Sequence, residues 1–157
     1  MALTRLGVNN ISNSTIANLT TLPAAIPTGK VLQVVQTTDG TQRETTSSSY
    51  VAIDNTAVNI TPSSTSSKIL ITVSCLLYKS SATGSLKIYR DSTDLGIFIM
   101  TDGDGAYYAT SGLSFLDTPN TTSQVTYKCY LKAHSGGTVY LANGAGKFTS
   151  TAYEIAG

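Results

Sequence analysis

The chain has no tryptophan, one histidine, two cysteines and few charges. Charged residues are 12% of its 157 positions, about half the ~25% usual in soluble domains. Ten basic and nine acidic residues are thinly spread and leave a net charge of +1. No basic stripe is present to neutralise phosphates, so nucleic acid is not an expected partner. No apolar run reaches the ~18 residues of a membrane span, so no membrane is expected either. The N-terminal stretch also lacks the continuous apolar core of a secretory leader. Its nearest approach, "LPAAIP", is short and holds two prolines.

The scarcity of histidine and cysteine narrows the chemistry further. His134 stands alone at a strand end before "SGG". A general base there needs an orienting carboxylate and a nucleophile brought from elsewhere, and the pattern points to neither. A hydrolase on a β scaffold is therefore the remotest reading, no enzyme activity is expected, and no cofactor is implied. Two cysteines and one distant histidine do not make a zinc site. In "KILITVSCLLYK", Ile69, Ile71, Val73, Cys75 and Leu77 share one side of a strand, and in "QVTYKCYLKA", Val125, Tyr127, Cys129, Leu131 and Ala133 do the same. Both thiols thus point to the apolar side, as reduced core residues. The alternative, a disulfide between neighbouring strands, requires an oxidising milieu.

Hydroxyls are what the chain has in place of charge: 25 Thr and 19 Ser. With Val, Ile and Tyr, threonine favours strands. Residues 1–28 show no clean period, and composition shifts at Gly29, where the domain at 29–157 begins. Strands are expected at "KVLQVVQTT", "YVAI", "VNIT", "KILITVSCLLYK", "SLKIYRD", "DLGIFIMT", "AYYATSGLSFLD", "SQVTYKCYLKAHS", "TVYLANG" and "STAYEIA". Asp39-Gly40 signals a hairpin; "RDSTDLG" and "HSGGT" supply turn residues. Short strands, frequent turns and no helical period predict an all-β antiparallel β-sandwich of jelly-roll type, with an extended N-terminal arm.

Thr61 opens "TPSSTSSKILITV" and Thr118 opens "TPNTTSQVTYKC". Each is Thr-Pro, a hydroxyl-rich turn, then an alternating strand. They are either two equivalent corners of a pseudo-symmetric sandwich or two similar turns in a Thr-rich chain. Asp102 and Asp104 in "TDGDGAYY" resemble the start of a calcium loop, but no third oxygen ligand or terminal Glu follows, so a tight turn is expected and no metal. Five N-x-[ST] sequons, at Asn10, Asn13, Asn18, Asn59 and Asn120, are expected by chance in this composition. Tyrosine supplies most of the aromatic content and suits interfaces. Tyr107, Tyr108, Tyr130 and Tyr153 are the candidates for a subunit interface. Tyr130 shares its side with Lys128 and Lys132, away from Tyr127. That side is a subunit contact, a sugar-stacking platform or an ordinary half-exposed strand.

"GKVLQVVQTTDGTQRETTSSSYVAI", "VNITPSSTSSKILITVSC", "SLKIYRDSTDLG", "SFLDTPNTTSQVTYKCYLKA" and "GGTVYLANG" closely resemble a recurrent module of tailed-phage virion proteins, of cyanophage and marine-phage type. The resemblance covers about residues 29–155. It implies a virion structural protein with no catalytic motif, whose β-sandwich assembles as a homotrimer in capsid decoration (cement) proteins or in tail or head fibres. The absence of a shaft or repeats favours cement on the outer capsid surface, with the major capsid protein as partner. The arm then supplies the anchors Leu3, Arg5, Leu6, Val8, Ile11, Ile16, Leu19 and Leu22. The alternative is a tail-fibre, spike or head-fibre component that binds host surface glycans.

Overall fold

The computed structural model describes residues 29–80, 83–101, 105–134, 136–142 and 146–157. The arm with its eight anchors lies outside the described residues, as do Asp102 and Asp104. The described residues form eleven strands in order: β1 (Val31–Asp39), β2 (Arg43–Thr45), β3 (Val51–Ala52), β4 (Val58–Ile60), β5 (Lys68–Lys79), β6 (Gly84–Arg90), β7 (Thr93–Thr101), β8 (Tyr107–Asp117), β9 (Val125–Ala133), β10 (Val139–Leu141) and β11 (Phe148–Ile155). No helix occurs among the described residues. The strand missing from the sequence reading is β2, whose Arg-Glu-Thr has little strand character of its own and is held by pairing with β10.

Two antiparallel sheets pack face to face as a β-sandwich. In the first, β5 pairs with β8 along Ile69–Lys79 on one edge. Its other edge is shared end to end by β11 and β10, with β1 outside β11 and β2 outside β10. Strands β1 and β2 run in one direction and act as a single broken outer strand. Asp39-Gly40 sits at that break, so the expected hairpin does not form. The position beside β1 is taken by β11, from Val31↔Ile155 to Asp39↔Phe148. The chain therefore continues forward. Asp39 Oδ1 accepts the Thr41 N–H at 2.9 Å, a local turn that kinks the strand without reversing it.

The second sheet repeats this plan around β9. Strand β6 covers one edge, β3 and β4 share the other, and β7 lies outside β6. Between β3 and β4, Thr56 Oγ1 donates to the Ile53 carbonyl at 2.7 Å and accepts the Cys129 N–H at 3.2 Å. That hydroxyl replaces the missing ladder bonds. The β6–β7 turn is tight, with Asp91 at φ 51°, and Gly136 and Gly137 adopt positive φ between β9 and β10.

The alternation in β5 and β9 is borne out: all ten of the inward residues named above are buried. Burying a Val-, Leu- or Ile-sized side chain contributes ~1.5–3 kcal/mol, so these two strands dominate the core. Cys75 and Cys129 are free and buried. Burial pushes the Cys75 thiol up to about 12 and raises that of Cys129 well above its ordinary value. Both are packing residues rather than nucleophiles. The buried hydrophobic residues of the described core all lie between Ile53 and Ala152.

Candidate functional site

Two carboxylates tie the sheet-changing corners. Between β4 and β5, Ser63 donates its N–H and its hydroxyl to Glu154 Oε1, at 2.7 and 2.6 Å. Gln33 Nε2 reaches Glu154 Oε2 at 2.6 Å and the Thr61 carbonyl at 2.7 Å. Burial alone would raise the Glu154 carboxyl, but hydrogen bonds from Ser63 and Gln33 outweigh it and hold the group at about 2. Between β8 and β9, Asp117 accepts two bonds from Arg90 Nη1, at 2.9 and 2.7 Å, and one from the Tyr127 hydroxyl at 2.6 Å. Burial, then Asp117, pushes the Tyr127 phenol up. The first ties the β4–β5 corner to β1 and β11, and the second ties β8 to β6 and β9.

The outer faces of the sheets offer more. Register places Leu116, Leu70, Tyr153 and Val34 in one row across the outside of the first sheet. The next row holds Ser114, Thr72, Thr151 and Gln36, and the one after it Gly112, Ser74, Thr149 and Thr38. At the far end stand Tyr108, Tyr78, Tyr140 and Glu44. Tyr78 packs against Tyr108 and Tyr140, with ring centroids 4.3 and 5.3 Å apart. Lys68 and Glu44 stand at the ends of this face. Between them the row of Thr110 and Leu76 holds one charge, exposed Lys147, whose Cγ lies 3.9 Å from where a Cβ on Gly40 would sit.

The outer face of the second sheet is charged. Lys87 and Lys132 lie 4.8 and 5.6 Å from the centre of the Tyr50 ring. Tyr89 and Tyr130 pack with centroids 4.1 Å apart. Lys87 pairs with Asp94 at 2.6 Å and Lys128 with Asp54 at 3.7 Å. The hydrogen bond to Asp94 raises the Lys87 ammonium, and the same bond lowers the Asp94 carboxyl. These exposed pairs add little stability. Ser85 Oγ links the Tyr50 hydroxyl and His134 Nε2, each at 2.8 Å. His134 is exposed, but it is partnered. The strand spacing hid this contact, because β6 and β9 must pair before Ser85 and His134 meet. No carboxylate bonds to His134 among the described residues, so the pair lacks the third member of a triad.

The four candidate interface tyrosines divide between these faces. Tyr108 and Tyr153 lie on the outside of the first sheet, and Tyr130 on the outside of the second. Tyr107 stands opposite Lys79 in the β5–β8 register. The described residues contain no group of three or more His, Cys, Asp or Glu able to hold a metal. No protein-family model matches the chain, and no curated protein matches it.

Proposed function

We propose that this protein is a structural component of a phage virion, a capsid decoration protein that trimerises and clamps major capsid subunits through its N-terminal arm. One observation carries the reading: the described residues close a charge-poor β-sandwich around a core that runs from Ile53 to Ala152. A segment that orders on a partner covers a large surface for its length, which suits residues 1–28 to the clamp. The strand order supports the module. With the broken strands joined, one sheet reads β8, β5, β10/β11, β2/β1, and the other β3/β4, β9, β6, β7. That alternation of strands between two four-row sheets is compatible with a jelly roll of the kind used in capsid domains.

Removing residues 1–27 tests the reading. The truncated chain is expected to keep its β-sheet circular dichroism and to stop decorating particles. Decoration that survives the truncation overturns the clamp. Particles lacking the protein are expected to rupture at lower temperature or osmotic stress, and unchanged stability overturns the cement role.

The second reading, a fibre or spike module for host glycans, draws on the Tyr and Lys cluster of the second sheet. Tyr130 and Tyr89 offer rings for stacking, and Lys132 has no carboxylate partner among the described residues. Tyr130→Ala should abolish binding on a glycan array if that reading holds; an array on which the unaltered protein binds nothing overturns it.

A further inference from the structure

We infer that the row of Leu116, Leu70, Tyr153 and Val34, at one end of the first sheet's outer face, seats the chain's own residues 22–27, "LPAAIP". Those six lie outside the described residues, whereas the surface that receives them is on the described domain. The inference goes beyond the preceding reading and does not need it, because it concerns the root of the arm and not what the rest of the arm binds.

The first observation is exposure. Six large apolar side chains are exposed among the described residues, and four of them stand at this end: Val34 at 55%, Leu116 at 53%, Val31 at 48% and Leu32 at 43%. Val34 and Leu116 end the row, and half-buried Leu70 and Tyr153 fill it between them. Half-buried Ile155, opposite Val31 in the β1–β11 register, continues the stripe. A continuous apolar stripe open to water marks a contact surface, whereas scattered exposed side chains do not.

The second is where the chain enters the domain. A Cβ on Gly29 would lie 3.5 Å from Ile155 Cγ2, and the Lys30 carbonyl accepts the Ala156 N–H at 2.9 Å. Residue 27 is therefore tethered within two residues of the stripe's border. So short a tether holds the segment near the stripe at an effective concentration of about millimolar, which favours it over a free partner of equal affinity. The lengths also agree. Residues 22–28, extended at about 3.1 Å each, reach about 22 Å, and the four strands of the row span about 14 Å.

The third is chemistry. Residues 19–28 carry no charge, so no ion of theirs is stripped of water on the stripe. Pro23 and Pro27 lack the amide proton and favour an extended polyproline-type chain, whose backbone stays hydrated while its side chains dock on aromatic and apolar surfaces. Leu22 and Ile26 supply such side chains, and Tyr153 supplies a ring within the row. Seated in this way, the chain runs back from β1 over β11 and β5, and the rest of the arm leaves at the β8 edge. Of the eight arm anchors, only Leu22 is then taken by the domain.

A photo-crosslinking benzophenone side chain in place of Ala25 of the full-length protein tests the seat. Crosslinks are expected to Leu70, Tyr153 or Leu116 of the same chain. Combining Val34→Lys with Leu116→Lys, both at exposed positions, should lower their yield at least tenfold. Ala52→Lys, on the other sheet's outer face, should leave it unchanged. Should the double variant lose its circular dichroism signal, Leu116→Lys alone replaces it, with the same expected outcome. The inference is overturned by crosslinks that miss the row, by crosslinks that join only heavy-isotope to light copies in a mixed sample, by an undiminished yield in a folded row variant, or by an equal loss in Ala52→Lys. The expected crosslinks in a protein that does not decorate particles overturn the capsid reading and leave the seat standing; decoration without those crosslinks does the reverse.

Discussion

The two Thr-Pro corners begin alike in sequence and are secured in different ways. The corner between β4 and β5 turns on Glu154, a carboxylate surrounded by neutral donors: the Ser63 N–H, the Ser63 hydroxyl and the Gln33 amide. The corner between β8 and β9 turns on Asp117, which is matched by the Arg90 guanidinium and the Tyr127 hydroxyl. Both lead the chain from one sheet to the other, and both feed a central strand flanked by one whole strand and two half-strands. A buried anion needs donors, and either a set of dipoles or a cation can supply them. The equivalence of the corners therefore lies in topology and in the need for an acceptor, not in the partner that satisfies it.

Breaking the first corner should cost most. Glu154→Ala removes the acceptor for three bonds and leaves both Ser63 donors without it, an expected loss of about 3 kcal/mol in urea unfolding. The same carboxyl makes that corner acid-sensitive. Its folded value of about 2 lies below the ordinary 4.5. The stability it contributes is fully present above pH 4.5 and is lost as the pH falls through 2. Glu154→Ala should therefore show a flatter decline of stability over that interval. An equally steep decline would assign the acid sensitivity to other groups.

At the second corner the expected effects are smaller, because Asp117 keeps a partner in each variant. Arg90→Ala should lower stability by about 2 kcal/mol and Tyr127→Phe by about 1 kcal/mol. Thermal unfolding of both, alone and combined, measures how far they share the load. A combined loss equal to the sum would mean that Asp117 does not couple them. If Arg90→Ala costs more than Glu154→Ala, the cation is the stronger device and the comparison reverses.

Much of this architecture is legible from residue order. Period-two alternation in β5 and β9 identifies the core side, including both cysteines, because side chains on a strand must alternate. The loop chemistry at Asp91 and Gly136–Gly137 marks real turns for an equally local reason: those backbone angles favour Asp, Asn or Gly. Asp39-Gly40 misleads because a turn signal states that the chain can bend, not which strand will lie beside it. The pairing of β1 with β11 joins residues more than a hundred positions apart, and no local pattern encodes it. The contact of Ser85 with His134 is hidden for the same reason.

The outer faces show the same division of labour. Low charge and abundant hydroxyls are properties of the sequence, and they already leave few groups for strong ionic contacts. Which residues share a face was decided only when β5, β8, β11 and β1 aligned. Alternation assigns a residue to one side of its own strand, but a surface is a property of neighbouring strands, whose register depends on long-range pairing and on burial of the common core. Composition and period thus determined an all-β sandwich with its inward residues. Tertiary structure alone separated Tyr108 and Tyr153 from Tyr130, because those tyrosines belong to strands that the core holds in opposite sheets.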